Sequence, residues 1–555
     1  MREVAPAAAA QRPPLDDDEE KPFVTTARDD VVLPPGLTAP DFAAVLRAFA
    51  GALGDGAVLR SAEAVGEFRD PYAFATWEEH WPAAVLLPGS VAEVQEVVRI
   101  AGRYRVPLWT NSMGKNNAYG GGAPRLRGSV VLSLRRMNRI LEVNEELAYA
   151  VVEPGVSFFD LCAELRRRGS ALWASIPDLG WGSVVGNTLD HGFGYLPEGD
   201  HAASQCGMEV VLADGSLLRT GMGAMDASQA WHAHRRGFGP AVDSLFMQSN
   251  YGIVTKMGKW LTPRPEVYAP VAIRASREAD LEALVDGFRP LLLDGTVRNL
   301  PLLGMMMGPA AMTKTREQWQ PGGGPLTEAF YRRVMDELGT GYWNLRTALY
   351  GSEAVVDAQL ARIRETFAGA DGVEVIARKI AGTDVSEETV TLHPDRVQAG
   401  IPGLRLLDIL GWWGGTGGHL DFSPVAPLRG ADVRALTRLI RPEVERAGLD
   451  FWPGAVMMPR SCVYVCPLLF DAGCETQARA AYDVYRRLVR LTAEAGYGLY
   501  RGHLSFMDDI ADAYGFGDHA MRRLQETIKD ALDPGGILSP GKQGIWPRGM
   551  RKGRD

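Results

Sequence analysis

Cysteine is scarce in this sequence, and its pattern limits the kinds of site the chain can hold. The 5 cysteines, at positions 162, 206, 462, 466 and 474, are odd in number and show no CxxC spacing. This pattern favours buried free thiols over a disulfide framework or a zinc site. The HExxH, GxSxG and Walker A motifs are absent as well. These absences argue against metal-dependent hydrolysis, serine hydrolysis and P-loop chemistry, and we expect no metal.

The sequence also lacks a net positive charge and any long apolar run. A formal net charge of -9 gives no reason to expect nucleic acid or an anionic membrane as a partner. No apolar run approaches the roughly 20 residues that span a bilayer. The N-terminus shows no basic start followed by an apolar core, the mark of a secretory signal. We therefore expect a cytoplasmic protein.

The length of 555 residues exceeds what one hydrophobic core usually serves, so at least two domains are expected. Residues 1–30 combine an alanine tract, prolines and an acidic run, and are predicted to be disordered. Near residue 266, short strands and Gly-rich loops give way to strands alternating with long amphipathic helices. This predicts an α+β second domain with helices on an antiparallel sheet. Glycines and turn residues return near 497, so we predict a first domain at 31–265, a second at 266–496, and re-entry into the first at 497–555.

One stretch, TNSMGKNNAYGGGAPRLRGSVVLSL at 110–134, is unusually rich in glycine and asparagine. These residues tolerate positive φ, which lets successive backbone N–H groups converge on an anion. We interpret the stretch as a pyrophosphate cradle. It follows a predicted βαβ unit and runs into another strand instead of opening a helix. That placement argues against a Rossmann GxGxxG or a Walker A loop.

Four clusters carry side chains suited to chemistry: residues 117–125, 177–195, 417–424 and 500–506. The second belongs to a long predicted loop at 176–200, and long loops inside compact proteins are usually functional or disordered. Taken alone, each cluster also has a structural explanation. His419, in a predicted strand, fits a hydrogen-bonded structural histidine, and Tyr119, Tyr195 and Tyr500 fit core aromatics.

The joint occurrence of nine motifs in one order is more specific. Between about Asp70 and Pro547 the sequence resembles the vanillyl alcohol oxidase and 4-cresol dehydrogenase family of flavoenzymes. The motifs are NNAYGGGAPRLRGSVVL, VVEPGVSFFDL, PDLGWGSVVGN, CGMEVVLADG, LRTGMGA, QSNYGIVTK, GGHLDFSPVA, YRGHLSFMD and DPGGILSPGK. The resemblance implies an α+β fold with two domains: an FAD-binding domain made from both chain ends, and a cap domain over the flavin ring.

The resemblance also implies FAD, with His419 as the residue bonded covalently to the flavin. Cresol dehydrogenases of the family use a tyrosine from a different motif, so the histidine favours the oxidase branch. Further cofactor-binding residues implied by the motifs are Asn111, Ser112, Met113, Gly114, Asn116, Asn117, Gly120, Gly121, Pro177, Gly182, Ser183, Gly186, Asn187, Gly194, Ile253, Val254, Arg501 and Lys542.

The implied reaction is the oxidation of para-substituted phenols such as 4-alkyl, 4-allyl and 4-hydroxymethyl phenols. Tyr119, Tyr500 and Arg501 would favour the phenolate, which pushes hydride from the side chain's α-carbon to flavin N5 and leaves a quinone methide. Asp178 would stabilise that species and act as a base toward water, with Tyr195 beside it. Molecular oxygen would reoxidise the flavin and give hydrogen peroxide. Two alternatives are a dehydrogenase that passes electrons to a cytochrome and a flavin-binding protein without oxidation chemistry.

The sequence departs from the family pattern at several positions. Arg69 replaces a histidine thought to assist flavin attachment, which puts that assistance in doubt. Asp421 stands in a slot that is aromatic in vanillyl alcohol oxidase. It would hydrogen-bond a ring substituent if it faced the pocket, or would lie in solvent. Gly454 and Val465, at substrate-lining positions, imply room for guaiacyl or syringyl rings. Segment 225–237 is shorter than the family's octamer-forming loop, so we expect a homodimer.

Overall fold

The computed structural model describes residues 32–72 and 77–551, so the predicted disordered segment 1–30 lies outside the described residues. The strands in this part of the chain are β1 Val58–Leu59, β2 Ala84–Leu86, β3 Leu108–Asn111, β4 Val130–Ser133, β5 Ile140–Asn144, β6 Tyr149–Val152, β7 Leu172–Trp173, β8 Gln205–Val211, β9 Leu217–Arg219, β10 Ile253–Trp260, β11 Thr262–Pro263, β12 Val267–Ala275, β13 Leu302–Met305, β14 Trp343–Gly351, β15 Val373–Ala377, β16 Ile380–Ala381, β17 Gly417–Phe422, β18 Val425–Pro427, β19 Gly454–Met457 and β20 Ser461–Asp471. The helices are α1 Ala39–Leu53, α2 Ala62–Gly66, α3 Val91–Tyr104, α4 Phe158–Arg167, α5 Val184–Leu189, α6 Leu281–Leu293, α7 Met307–Ala311, α8 Arg316–Trp319, α9 Glu328–Leu338, α10 Glu353–Phe367, α11 His393–Val397, α12 Gly430–Arg446, α13 Glu475–Glu494, α14 Met507–Ala513 and α15 Phe516–Leu532.

The first sheet explains why the Gly-rich stretch is a long loop. Its four strands lie in the order β1-β2-β4-β3, and β4 is parallel to both β2 and β3. The predicted βαβ unit therefore exists, but β4 separates its two strands. Parallel neighbours need a crossover of about a dozen residues or more. The chain from β3 to β4 makes this crossover without a helix, as predicted.

The second sheet has five antiparallel strands in the order β5-β6-β10-β8-β9. Within it, β8 and β9 form a hairpin. Helix α4 packs beside it and begins at a capping box, in which Ser157 and Asp160 each accept a backbone N–H of the other. Gly169, at φ 64°, follows the end of the helix.

The third sheet is antiparallel throughout and has nine strands, with the main path β15-β12-β14-β13-β19-β20-β17. Strand alternation gives it two different faces. One face carries apolar residues such as Ile273, Leu345 and Leu303, and packs with helices α6, α10, α12 and α13 in the largest hydrophobic core. The opposite face is turned toward a large cavity. The fold is α+β, as predicted.

Two segments predicted as loops and turns contain helices. The loop predicted at 176–200 includes α5, whose sequence VVGNTL has low helix propensity because of its β-branched residues, glycine and asparagine. Segment 497–543 includes α14 and the longer α15, which lies between glycine-rich ends. Beyond α15, Leu538 forms a parallel bridge with Leu108 of β3. The domain boundaries themselves stay a prediction.

Two further observations concern the helices and the cysteines. In the described part of the chain, none of the helices combines the length and the apolar character that a membrane span requires. The cysteines are free thiols, and four of them are buried while Cys474 is exposed.

Candidate active site

A cavity of about 720 Å³ lies against the face of the nine-stranded sheet that is opposite its hydrophobic core. Its remaining walls come from the Gly-rich loop, the segment around α5, the chain on either side of Tyr500, and the C-terminal turn at Lys542. Segments far apart in sequence thus meet around one space that suits both a cofactor and a substrate.

The cavity brings together nearly all of the residues singled out in the sequence. Those that line it are Asn111, Ser112, Met113, Gly114, Asn116, Asn117, Tyr119, Gly121, Pro177, Asp178, Gly182, Ser183, Gly186, Asn187, Tyr195, Ile253, Val254, His419, Asp421, Gly454, Val465, Tyr500, Arg501 and Lys542. Gly120 and Gly194 do not line it. They lie where a Cβ would run into Leu504 and Ser175, respectively, so close packing explains both glycines.

The wall beside the Gly-rich loop is suited to a polar cofactor. Gly114 and Gly121 adopt φ values of 69° and 59°, as a loop of converging N–H groups requires. Buried polar atoms in a folded protein nearly always have a hydrogen-bond partner. Several here have none among the described residues: Thr110 Oγ1, Asn111 Oδ1, Asn117 Oδ1, Trp181 Nε1, Ser249 Oγ and Asn250 Oδ1. A ligand rich in hydrogen-bonding groups, such as FAD, would satisfy them.

Tyr119, Tyr500 and Arg501 form one cluster in the cavity wall. The guanidinium carbon of Arg501 lies 4.0 Å from the centre of the Tyr119 ring. Its Nη2 donates to Asn116 Oδ1 and lies 3.8 Å from Asp190 Oδ2. Asp190 Oδ1 also lies 3.8 Å from Lys542 Nζ. One carboxylate therefore faces two cations, so it helps to hold Arg501 in place without cancelling its positive charge.

The electrostatics of this cluster keep both tyrosines protonated. Burial raises the pKa of Tyr119 well above its usual value, against the opposing effect of Arg501. Burial also raises the pKa of Tyr500, again opposed by Arg501. Burial alone would lower the pKa of Arg501, but Tyr119 and Asp190 raise it. The cluster therefore presents two O–H donors and a permanent cation, which suit an oxyanion.

A second cluster surrounds Asp178. The Tyr195 hydroxyl donates to Asp178 Oδ2 at 2.5 Å, and His393 Nε2 lies 3.3 Å from Oδ1. Burial raises the pKa of Tyr195 well above its usual value, and Asp178 raises it further, so the hydroxyl stays a donor. His393, at the start of α11, was not identified from the sequence. A single histidine before a proline gave no signal, since its partner is far away along the chain.

His419 and Asp421 lie on the cavity side of β17. Leu420 and Phe422 alternate with them and are buried in the core. His419 Nε2 lies 2.9 Å from Asp421 Oδ1, and its Nδ1 lies 3.5 Å from Asn117 Nδ2. Asp421 therefore faces the cavity, one of the two orientations left open by the sequence. Arg69 is exposed and is not among the residues that line the cavity.

Comparisons with known proteins identify FAD-linked relatives of this chain. Residues 82–221 match the family model "FAD binding domain", and residues 462–543 match "FAD linked oxidases, C-terminal domain". The flavoprotein subunit of 4-cresol dehydrogenase (hydroxylating) from Pseudomonas putida is 33% identical over 522 residues, which cover 93% of this chain and 98% of that protein. The 1'-carboxy-chondrochloren decarboxylase of Chondromyces crocatus is 35% identical over 519 residues, covering 85% and 93%.

The solved structures include the 4-ethylphenol oxidase of Gulosibacter chungangensis in complex with isoeugenol. It superposes with a TM-score of 0.89 at 37% identity, covering 94% of this chain and all of that one. The fold and the cavity thus define an FAD-linked oxidoreductase. The chain belongs to the vanillyl alcohol oxidase and 4-cresol dehydrogenase family, which confirms the resemblance seen in the sequence.

Proposed function

We propose that this protein is an oxidase of para-substituted phenols, acting on 4-alkyl, 4-allyl or 4-hydroxymethyl side chains with FAD as cofactor and molecular oxygen as the final acceptor. The observation that carries the proposal is the cluster of Tyr119, Tyr500 and Arg501 in the same cavity as Asp178 and His419. Relatives named for 4-cresol and 4-ethylphenol support the substrate class.

The proposed chemistry begins with the phenol oxygen. Two protonated tyrosines donate to it and Arg501 supplies positive charge, so the phenolate is favoured over the phenol. A phenolate releases electrons to the para position, which assists loss of hydride from the α-carbon of the side chain and leaves a quinone methide. FAD, when bound, supplies the two-electron acceptor for that hydride.

Asp178 is the proposed partner of the reacting carbon. A carboxylate stabilises an electron-poor α-carbon and accepts a proton from an attacking water. Tyr195 and His393 approach its two oxygens from different elements and thereby hold the carboxylate in one orientation. We propose that they position Asp178 and do not exchange bonds with the substrate.

His419 is the proposed site of covalent FAD attachment. It lies in the cavity wall on a buried strand, next to Asn117 of the Gly-rich loop. Asp421 accepts a hydrogen bond from Nε2 when that nitrogen carries the proton, which leaves Nδ1 unprotonated in the neutral ring. The carboxylate therefore selects the tautomer and orients the ring toward the cofactor.

A second candidate is a dehydrogenase that passes its electrons to another protein. The relative in Pseudomonas putida, a 4-cresol dehydrogenase, favours it. Both candidates oxidise the same kind of phenol and differ in what reoxidises the flavin.

Mixing the purified holoprotein with 4-propylphenol separates these possibilities. Without oxygen, we expect the visible absorbance of the oxidised flavin to fall after mixing, because the phenol reduces the flavin. In air, an oxidase yields one hydrogen peroxide for each phenol oxidised. Bleaching without peroxide would support the dehydrogenase, and no bleaching with any para-alkylphenol would contradict the proposed substrate class.

Asp421 is expected to influence which ring substituents are accepted. Its Oδ1 faces His419, and its Oδ2 has no hydrogen-bond partner among the described residues. An ionised carboxylate only accepts hydrogen bonds, so it suits a ring hydroxyl ortho to the phenol oxygen. Asp421→Ala should lower kcat/KM for 4-propylcatechol about 10-fold relative to 4-propylphenol, the usual worth of a hydrogen bond to a charged group.

Comparing the two phenols in one variant cancels any loss caused by the altered His419 contact. Asp421→Asn, which keeps an acceptor, serves as the matched control and should retain part of the preference. An unchanged ratio in Asp421→Ala would show that the ring does not reach this carboxylate.

A further inference from the structure

The cavity face of the nine-stranded sheet carries an ordered row of side chains. Cross-strand pairing aligns Arg274 of β12 with Asn344 of β14, then Gly304 of β13, Gly454 of β19 and Val465 of β20. Directly opposed residues in a sheet lie on the same face, and all five line the cavity. The row thus runs across the sheet from the predicted substrate-lining positions to an arginine.

A neighbouring row runs parallel to the first. It pairs Arg346 of β14 with Leu302 of β13, and continues through Val456 of β19. These three residues also line the cavity. Together the two rows form one wall of the cavity, which we call the floor. Its middle consists of glycines and apolar side chains, and two guanidinium groups lie at one end.

The two glycines open a trough in that floor. A Cβ added at Gly304 would meet nothing within 4 Å, and Gly454 contributes no side chain either. Leu302, Val456 and Val465 border the trough with apolar atoms. An extended hydrocarbon chain fits such a surface, and its far end would reach the arginines, since neighbouring strands are only about 4.8 Å apart.

The charge at the end of the trough is not balanced by the protein. Arg346 Nη1 lies 3.4 Å from Asp395 Oδ1, but Arg378 shares that carboxylate at 3.6 Å. Arg274 forms no hydrogen bond or ion pair with the described residues, and Glu374, opposite it on edge strand β15, is exposed and makes no ion pair with it. Two arginines therefore share one buried carboxylate, and Arg274 adds a third positive charge near Arg346 without an ion pair of its own among the described residues.

The pKa of Arg346 reports the same imbalance. Burial lowers the pKa of Arg346 below its usual value, and Arg274 and Arg378 lower it further, whereas Asp395 raises it. The acidic residues that line the cavity are Asp178, Asp190 and Asp421, and none of them forms a hydrogen bond or ion pair with Arg274 or Arg346 in the described part of the chain. An anion placed between Arg274 and Arg346 would relieve the repulsion.

We propose that Arg274 and Arg346 bind an anionic group, a carboxylate, at the far end of the substrate's para side chain. The preferred substrates would then be para-substituted phenols with an acidic side chain, held at the phenol oxygen by Arg501 and at the carboxylate by this pair. This inference rests on the proposed phenol oxidation and names the substrate class of that same site. Arginine suits the role because its planar fork matches a carboxylate.

The test compares 3-(4-hydroxyphenyl)propanoate with its primary amide, which has the same length and no charge. With the holoprotein, we expect kcat/KM for the acid to exceed that for the amide about 10-fold or more, the usual effect of charge-assisted hydrogen bonds. Arg274→Gln should bring this ratio close to 1. Arg274 is the better target, because replacing Arg346 would remove an ion-pair partner of the buried Asp395 carboxylate. Arg362→Gln, which removes an exposed charge from helix α10, is the matched control and should keep the ratio.

Each other outcome overturns the proposal. Equal kcat/KM values for acid and amide in the unaltered protein would show that no anion site is used. An equal fall for both compounds in Arg274→Gln would assign the arginine a structural role. Loss of FAD from that variant would assign the guanidinium to the cofactor's phosphates.

A spectroscopic measurement separates this inference from the proposed function. Dissociation constants of the acid and the amide are measured without oxygen from the perturbed flavin spectrum of the chemically reduced holoprotein, which cannot accept hydride from either compound. If neither compound nor 4-propylphenol is oxidised, the proposed function fails. The binding ratio and its loss in Arg274→Gln still test the anion site alone.

Discussion

Replacing Arg501 with alanine is expected to lower kcat/KM for 4-propylphenol by on the order of 10²–10³-fold, as removal of a positioned charge-stabilising group does in other enzymes. Arg501 is a buried cation within 4.0 Å of the Tyr119 ring centre, in the only cluster of the described cavity wall that pairs a guanidinium with two tyrosines. Without it, the phenolate loses the charge that favours it, and the pKa of the bound phenol rises.

The pH profile distinguishes this role from a structural one. If Arg501 stabilises the phenolate, the acidic limb of kcat moves to higher pH in Arg501→Ala, because the bound phenol must now ionise without help. Arg501→Lys keeps the charge and should recover part of the activity. The fold should persist, since Asp190 retains Lys542 nearby. A profile of unchanged shape, or activity within a few-fold of the unaltered protein, would contradict the assignment.

Replacing His419 with alanine is expected to abolish covalent attachment of FAD. The protein should still fold, because the side chain removed faces the cavity and the core residues of β17 are untouched. After precipitation with acid, the yellow colour should stay in the supernatant for the variant and in the pellet for the unaltered protein. A covalent link also raises the flavin's capacity to accept hydride, so the variant loaded with free FAD should oxidise 4-propylphenol more slowly.

His234→Ala provides the matched control, since His234 is exposed and does not line the cavity. It should leave the flavin in the pellet. Flavin that remains bound to denatured His419→Ala would show that another residue forms the link. Flavin released from the unaltered protein would show that no link exists.

Much of the site was predictable because its residues belong to local motifs. The Gly-rich loop was identified from residue types that permit positive φ, and Gly114 and Gly121 adopt such angles. Tyr500 and Arg501 are neighbours in the chain, and the alternation of β17 places His419 and Asp421 on one face whatever the rest of the fold does. The long amphipathic helices predicted beyond residue 266 include α6 and α13, and their periodicity is likewise a local property of the sequence.

Other features depend on contacts between distant segments. His393 approaches Asp178 only because α11 packs beside the cavity, and no motif near position 393 in the sequence predicts this contact. Helix α5 has weak intrinsic propensity, so packing decides that it forms. The row from Arg274 to Val465 exists only through the register of five strands, which no single strand reveals.

The amino-acid sequence by itself determined the family, and it predicted the flavin cradle and the side chains suited to a phenolate, because each of these resides in short stretches whose residue types restrict the backbone or carry the chemistry. Only the tertiary structure decided which way Asp421 points, that His393 contacts Asp178, and that Arg274 and Arg346 share one end of a trough. These are relations across the sheet, and the strand register and packing that create them are set by the whole chain folding together.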